Sequence, residues 1–574
     1  MEKTNTPIKS RIVIAALFVC LASLLPAAEQ TPAGNDSQSG TVILDPQTIS
    51  KQAESPASKD AGPGPNTEPM ARGPFQPSWE SLKNYQCPEW FRDAKFGIFA
   101  DWGPQCQPEV PDGSGWYARD LYVQGSKDHN VHLQKYGHPS KVGFKDVCND
   151  WKGEKFDPDK LLALYQRAGA KYLVAMANHH DNFDLWDSTY QPWNSVNIGL
   201  KRNLIGDWAK ATRAAGLRFG VSVHASPAWS WYGTSVKADT TGPLAGIPYD
   251  GNLTKKDGKG QWWEGLDPQD LYAQSRKPGD RQAYCDKFYN RTLDLINRYQ
   301  PDVLYFDDRK LPLADAEAYG LRIAAHLYNS SITRNSGRNE AVMNTKGLDE
   351  MQQRCLVYDI ERGRTDRINA QPWQTDTCIG NWFYDPVFLQ RHKYRKAGDV
   401  VRLLCDVVSK NGNLLLSVPI RGNGELDADE IAILQDIGKW MNINGEAIYA
   451  TRPWKTFGEG PSTIPTDKEK QIGEWRVKLN QLWDFRDGCK PYTSEDIRFT
   501  QSKDGKTLYA IVMGVPKESL KIKSLAGEKI QGISLLGSDA KLNWKQEADA
   551  LVIQPAAEWP CQHTVAFKIE LAEQ

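Results

Sequence analysis

Tyr299-Gln300-Pro301-Asp302-Val303-Leu304-Tyr305-Phe306-Asp307-Asp308 is the stretch from which the architecture can be read. Pro301 ends the helix-like run before it, because proline supplies no helical N–H. Val303 to Phe306 then form a short apolar run, the pattern of a parallel strand buried on both faces. Two carboxylates, Asp307 and Asp308, follow at the carboxyl end of that strand. In a protein of alternating strands and helices, ligands sit and chemistry happens at this edge. An acid there is either a cap for the next helix or a catalytic group, and position alone leaves both readings open.

The same texture extends in both directions. From about Trp79 to about residue 447, short apolar runs alternate with amphipathic segments. The runs predict strands at Phe96–Ala100, Tyr172–Ala177, Arg218–Val223, Val303–Phe306, Val342–Asn344, Leu356–Ile360, Thr377–Ile379 and Leu414–Val418. Helices are expected at Pro158–Ala168, Leu204–Ala215, Arg281–Tyr299, Ala314–Leu327, Val387–Lys410 and Ala428–Asn442. The second places Leu204, Trp208 and Ala211 on one face, with Lys210 and Arg213 turned away. This rhythm predicts an α/β catalytic domain over residues 76–447, a (β/α)8-like barrel with long loops. A doubly wound open sheet is the alternative, but no GxGxxG follows the first strand. After about residue 448 the segments become short strands separated by turn signals such as Lys503-Asp504-Gly505. Residues 448–574 are therefore expected to form an antiparallel β-sandwich.

Residues 1–28 carry Lys3, Lys9 and Arg11, an apolar run from Ile12 to Leu25, and then Pro26-Ala27-Ala28. This is the pattern of a secretory signal peptide cleaved near Ala28, which implies an exported protein, periplasmic or secreted. The run is short for a membrane span and no later stretch is long and apolar enough, so no membrane insertion is expected after cleavage. Leu17-Phe18-Val19 before Cys20 lacks the small residue of a lipoprotein cleavage site, so no lipid anchor is expected. Residues 29–75, rich in Pro, Gly, Ser and Ala, read as a disordered or tethering linker. A net charge of −1, from 70 basic and 71 acidic residues, gives no field that would attract nucleic acid or an anionic membrane. The 20 tryptophans fit either large cores or indoles that stack on sugar rings. Of 10 cysteines, those remaining after Cys20 form no CxxC pair, so a thiolate zinc site is not expected. They read as buried apolar residues or as one or two bridges.

The predicted strands end in polar residues that converge on one face: Asp101, His179-His180, His224, Asp307 and Glu361. Helix capping accounts for an aspartate but gives no reason for three of the 9 histidines. Two carboxyls with hydroxyl-binding histidines and tryptophans fit glycoside hydrolysis. One carboxylate attacks the anomeric carbon, and the other donates a proton to the leaving oxygen and later takes one from water. Zinc held by His179, His180, His224 and Asp307 is the competing reading. Adjacent residues on an extended strand point to opposite faces, and neither HxH nor HExxH occurs, so no metal is expected.

Five ordered motifs then make the chain resemble glycoside hydrolase family 29, the α-L-fucosidases, from about Trp79 to its end. They are residues 89–99 (Glu89-Trp90-Phe91-Arg92 onward), residues 170–174 with His179-His180-Asp181-Asn182-Phe183-Asp184-Leu185-Trp186, Tyr299 to Asp307, Pro372 to Cys378, and Val407 to Leu416. The resemblance implies a barrel with a C-terminal sandwich, no metal or cofactor, and a retaining mechanism. It puts the nucleophile on Asp307 rather than Asp308. It puts the acid/base on Glu361, since Asp359-Ile360-Glu361-Arg362-Gly363 looks like the branch in which that glutamate precedes Arg-Gly; Glu340 and Glu350 are the runners-up. His179 and His180 match paired histidines that hold sugar hydroxyls, and Trp116 matches a sugar-contacting tryptophan. His224 lies where the family has an aromatic or polar residue near the ring. Asp101, Trp102 and Tyr305 complete the expected sugar contacts.

Two departures bear on the substrate. The family's first strand usually ends in His-Trp-Gly, here Asp101-Trp102-Gly103, and its usual acid before the tryptophan is here Gly115. Either Asp101 replaces the lost acid and the sugar remains L-fucose, or the freed volume receives a C6 hydroxyl and the enzyme is an α-L-galactosidase. The expected partner is a glycan carrying fucose or L-galactose. The rival from another class is an inactive carbohydrate-binding protein on the same scaffold, against which both carboxyls being in place argues.

Overall fold

The computed structural model describes residues 63–464, 482–483 and 491–572. The expected signal peptide (1–28), the linker up to residue 62, and Cys489 lie outside the described residues. Eight parallel strands close into a barrel. In chain order they are β1 (Phe96–Ala100), β2 (Tyr172–Asn178), β3 (Arg218–Val223), β4 (Val303–Arg309), β5 (Val342–Lys346), β6 (Val357–Asp359), β7 (Trp373–Cys378) and β8 (Gly412–Ser417). Each pairs with the next, and β8 returns to β1 through Phe96↔Leu414 and Phe99↔Ser417. The hidden strands are apolar because both faces are covered. The floor is tight: Tyr172 reaches across to donate to Gln374 Oε1 at 3.0 Å. A Cβ on Gly97 would fall 2.4 Å from the Tyr172 ring, so only glycine fits beneath it.

The outer helices start where the chain offers caps. Asp157 accepts from the Lys160 N–H with Pro158 in the first turn, and Asn203 accepts from Gly206 N–H. Asp427 and Glu430 form a capping box for Ala428–Asn444. One expected helix is two. Val387–Lys410 divides into Pro386–Gln390 and Ala397–Ser409. His392 takes a left-handed φ of +48°, and buried Tyr394 turns inward to donate to Asp427 Oδ2 at 2.8 Å. A tertiary hydrogen bond outweighs local helix propensity there.

The strand expected at Thr377–Ile379 begins at Trp373. Its polar run Gln374-Thr375-Asp376-Thr377 is fully buried. Gln374 Nε2 donates to Asp359 Oδ1 at 2.9 Å, and Thr375 Oγ1 to the Ile360 carbonyl at 2.8 Å. Polar strand residues satisfied inside the barrel escape any search for apolar runs.

The expected linker also needs correction in its described part. Backbone N–H groups of Gly64, Glu68, Ala71 and Phe75 donate to Asp286, Asn290, His326 and Asn329, at 2.9, 2.7, 2.9 and 3.0 Å. These acceptors lie on the helices Asp280–Tyr299 and Glu317–Arg334, and Phe75 is buried edge-on against Tyr328. Composition marked this segment as a tether because its partners lie more than two hundred residues away.

The C-terminal part forms two antiparallel sheets. Arg452–Glu459, Ile497–Gln501, Thr507–Val512, Val565–Leu571 and Ile530–Leu535 make one; Leu520–Ile522, Leu551–Ile553 and Trp544–Gln546 make the other. Phe499, Val512, Ile522, Leu551 and Phe567 share one core between them. The edge strand Arg452–Glu459 contains Pro453 and Gly458, turn-type residues that an edge tolerates. Among the described residues no disulfide joins any cysteine, and no helix is long and apolar enough to cross a membrane.

One buried ion pair joins the sandwich to the barrel. Arg498 Nε donates to Asp406 Oδ1 at 2.6 Å, both side chains fully buried, and Lys410 holds the other oxygen at 2.7 Å. Burial alone would raise the Asp406 carboxyl, but Lys410 and Arg498 outweigh burial and hold it well below its ordinary range. Prediction: Arg498→Met leaves Asp406 half-paired and lowers unfolding free energy by about 3–5 kcal/mol, read from urea denaturation followed by circular dichroism. An unchanged midpoint would show that Lys410 alone compensates Asp406.

Candidate active site

At the carboxyl end of the barrel, β4 carries Tyr305 and Asp307 two residues apart, so both point to the same side. A register irregularity between Phe306 and Arg309 bends the strand there, as bulges beside active sites do. Asp307 is part-open, with 21% of its side chain exposed. Glu361, two residues past β6, is 43% exposed. Lys346, the last residue of β5, bridges them: its ammonium forms a short ion pair with Asp307 Oδ1 and donates to Glu361 Oε2 at 2.9 Å. Two oxygens bound to one ammonium lie within roughly 5–6 Å of each other. That range covers the spacing of about 5–5.5 Å for a nucleophile and acid/base in retaining glycosidases.

Beneath them is a buried polar floor. The Tyr305 hydroxyl lies 3.0 Å from Asp376 Oδ2, 3.1 Å from Asp359 Oδ2 and 3.4 Å from Asp307 Oδ1. Burial, then the charge of Asp376, pushes Asp359 well above the carboxylate range. Burial raises Asp376 to about 6 against the opposing pull of Lys346. The Tyr305 hydroxyl has a single proton to share among these three carboxyls.

Three imidazoles line one side. His180 and His224 have ring centroids 3.9 Å apart, and His179 lies 4.5 and 4.9 Å from them. The expectation that His179 and His180 diverge is wrong. β2 ends at Asn178 and the chain turns, with Asn182 at φ +61°, so both rings reach one cluster. Gln105 anchors His179: its Oε1 accepts from Ala118 N–H at 3.3 Å, which orients its Nε2 toward His179 Nδ1 at 3.4 Å. That leaves Nε2–H of His179 to donate. Burial, then the charge of His224, keeps His179 and His180 neutral, well below the ordinary histidine range. Burial would also lower His224, but Asp307 and Asp308 raise it; its nitrogens lie 3.8 Å from Asp307 Oδ2 and 3.4 Å from Asp308 Oδ1.

The three rings bring ligand atoms within 4.8 Å of one another, a set that can hold a cation. Two carboxylates raise the proton affinity of His224, which makes it a poorer metal ligand. The donor set fits hydroxyl recognition better.

Asp101 lies at the end of β1, 4% exposed. Burial, then the charge of Asp307, pushes its carboxyl well above the ordinary range, and its Oδ1 has no hydrogen-bond partner among the described residues. Gly115 lines a cleft with Gln105, Asn381 and Phe383; a Cβ there would meet nothing within 4 Å, although its φ of +78° favours glycine. Phe383 also packs on His179, at 5.3 Å. Half-buried Trp116 adjoins this cleft, under Arg119 at 5.6 Å.

Two expected sugar contacts have other places. Trp102 is 1% exposed, packed on Trp151 and Phe156 at 4.9 and 4.8 Å, with its indole N–H on the Arg421 carbonyl at 2.8 Å. It is core, because the β1 extension turns it outward beneath the surrounding loops. Tyr305 is fully buried, so it supports Asp307 from below instead of facing the opening. Of the runners-up, Glu340 precedes β5 and pairs with Arg218 at the opposite end of the barrel, and Glu350 is exposed in the loop after it. Lys346, Asp359 and Asp376 were missed as functional residues. Extending the strand reading of β5 by two residues exposes Lys346 as a strand-end group, and recognising polar β7 exposes Asp376.

Comparison with known proteins adds to this geometry. A family model described as alpha-L-fucosidase matches residues 65–446, and one described as the alpha-L-fucosidase C-terminal domain matches residues 490–570. The chain is 25% identical to the tissue alpha-L-fucosidase of Rattus norvegicus, over 82% of this chain and 86% of that one. It is 28% identical to the plasma alpha-L-fucosidase of Homo sapiens, over 69% and 77%. The structure of the Thermotoga maritima alpha-fucosidase in complex with a mechanism-based inhibitor superposes with a TM-score of 0.62 at 25% identity, covering 86% of this chain and 100% of that one.

Proposed function

The chain belongs to the alpha-L-fucosidase family of glycoside hydrolases, and from that premise we propose that it is an exo-acting, retaining α-L-fucosidase. The observation that carries the mechanism is the shared ammonium of Lys346, which ties Asp307 and Glu361 to one short span at the barrel mouth. Asp307 attacks the anomeric carbon; the glycosidic C–O bond breaks and its electron pair leaves with the oxygen, which takes the Glu361 proton. A water oxygen then attacks the same carbon, Glu361 takes the water proton, and the ester electrons return to Asp307. His179 and His180, neutral and close together, support hydroxyl recognition, and the adjoining cleft supports binding of a chain end. The charged-then-apolar stretch from Lys3 to Ala28 supports export.

A second reading, an α-L-galactosidase, is favoured by one feature: the buried Asp101 Oδ1 has no hydrogen-bond partner among the described residues. A site that bonds a C6 hydroxyl rejects the analogue lacking it far more strongly than an apolar pocket rejects the extra hydroxyl. Prediction: kcat/KM for p-nitrophenyl α-L-fucoside exceeds that for the α-L-galactoside. A reversed preference replaces the first reading with the second, and turnover of neither removes both.

A further inference from the structure

Free enzyme and covalent intermediate differ in which carboxyl at the barrel mouth is charged. A retaining mechanism starts with Asp307 as the carboxylate and Glu361 as the neutral acid. When Asp307 bonds to the anomeric carbon it becomes a neutral ester, and Glu361, having given its proton to the departing oxygen, becomes the carboxylate. One negative charge therefore crosses between two groups that share the Lys346 ammonium. The total charge facing Lys346 does not change, and the lysine need only shift its weight from one oxygen to the other.

That arrangement carries a hazard. An ammonium 2.9 Å from Glu361 favours the glutamate's charged form, and an ionised Glu361 cannot protonate a leaving group. A third carboxylate offsets it. Asp376 Oδ2 lies 3.9 Å from the Lys346 nitrogen, and the Asp376 side chain is fully buried. Its Oδ1 has no hydrogen-bond partner among the described residues, and its Oδ2 accepts from Tyr305 at 3.0 Å. Asp376 sits on β7, whose Asp376↔Leu415 pairing holds it in the barrel wall, so it stays in place while the glycan comes and goes.

We propose that Asp376 is the fixed counter-charge of Lys346, a positioning residue that keeps the ammonium from ionising Glu361 in the free enzyme. The proposal rests on Asp307 as nucleophile and Glu361 as acid/base. Lys346 is faced by Asp307 of β4, Asp359 of β6, Glu361 beyond it and Asp376 of β7, with His179 and His224 on the histidine side. Asp101, Asp308 and Tyr305 complete the titratable set around Asp307. Burial would lower the Lys346 ammonium, but Asp307 first and Asp376 next raise it well above the ordinary range. Asp359 lies in the same floor, where burial and then the charge of Asp376 push its carboxyl well above the ordinary range and so reduce the charge it opposes to Lys346.

The test is the pH dependence of kcat/KM on an aryl α-L-fucoside for the full enzyme, Asp376→Asn and Asp359→Asn. The basic limb reports loss of the Glu361 proton. Asp376→Asn unmasks the ammonium, so the basic limb moves to lower pH by about 1 unit or more. Asp359→Asn removes a carboxyl whose charged form burial disfavours and moves that limb less than Asp376→Asn does. A purely structural role for Asp376 would lower the rate at every pH without moving the limb, and that result overturns the proposal. So does a shift toward higher pH. If Asp376→Asn does not fold, Lys346→Met gives the converse reading: with the ammonium gone the limb moves to higher pH, and an unmoved limb overturns the proposal. Failure of the underlying assignment shows separately, as full turnover by Asp307→Gly whatever the positions of the limbs.

Discussion

Asp307→Gly loses turnover of aryl α-L-fucosides by on the order of 10^4-fold or more, the scale on which removing a covalent nucleophile acts, while retaining its fold. The fold survives because Asp307 is part-open, and its removal leaves Lys346 with Glu361 at 2.9 Å and Asp376 at 3.9 Å. A charged group deleted from a site with other carboxylates nearby does not strand its partner. The variant also has a positive signature. Glycine in place of the carboxylate opens space on the face of the sugar opposite the leaving group. Azide entering there displaces the aglycone in one step and gives the β-L-fucosyl azide, with the anomeric centre inverted. Undiminished turnover, or an azide product of retained configuration, would remove Asp307 from the nucleophile's role.

Glu361→Ala has the second largest effect, and it depends on the leaving group. A general acid contributes about 10^2–10^4-fold when the departing oxygen is basic and little when it is a good anion. Natural-type glycosides therefore slow by that factor, while a dinitrophenyl fucoside keeps most of its first-step rate and accumulates as glycosyl-enzyme, because no base activates water. Azide needs no base. It attacks the glycosyl-enzyme and gives the α-L-fucosyl azide, of retained configuration. The two carboxyl variants thus yield azides of opposite stereochemistry, and that opposition separates nucleophile from acid/base without reliance on rates. If Glu350→Ala shows the leaving-group dependence and Glu361→Ala does not, the exposed loop acid folds over the site when substrate binds.

Much of this was legible in the chain. Asp307 follows a four-residue apolar run after a helix-ending proline, and strand polarity in a closed parallel barrel sends such a residue to the mouth. Glu361 and the histidine pair could be placed by the same rule. The rule failed where side-chain direction matters: Trp102 shares its strand end with Asp101, yet one faces the cluster and the other the core. It failed again where a strand is polar, since Gln374-Thr375-Asp376-Thr377 has no apolar run to betray it.

The mouth at the carboxyl ends of the apolar strands, and the two acids proposed to react there, follow from local pattern, because an apolar strand buried on both faces turns polar where it emerges. The charge balance of the site follows from nothing local. Lys346, Asp359 and Asp376 come from three strands that pair side by side, and they meet only through that tertiary pairing. Coulomb energy depends on distance through space, and strand pairing between distant stretches of chain sets those distances.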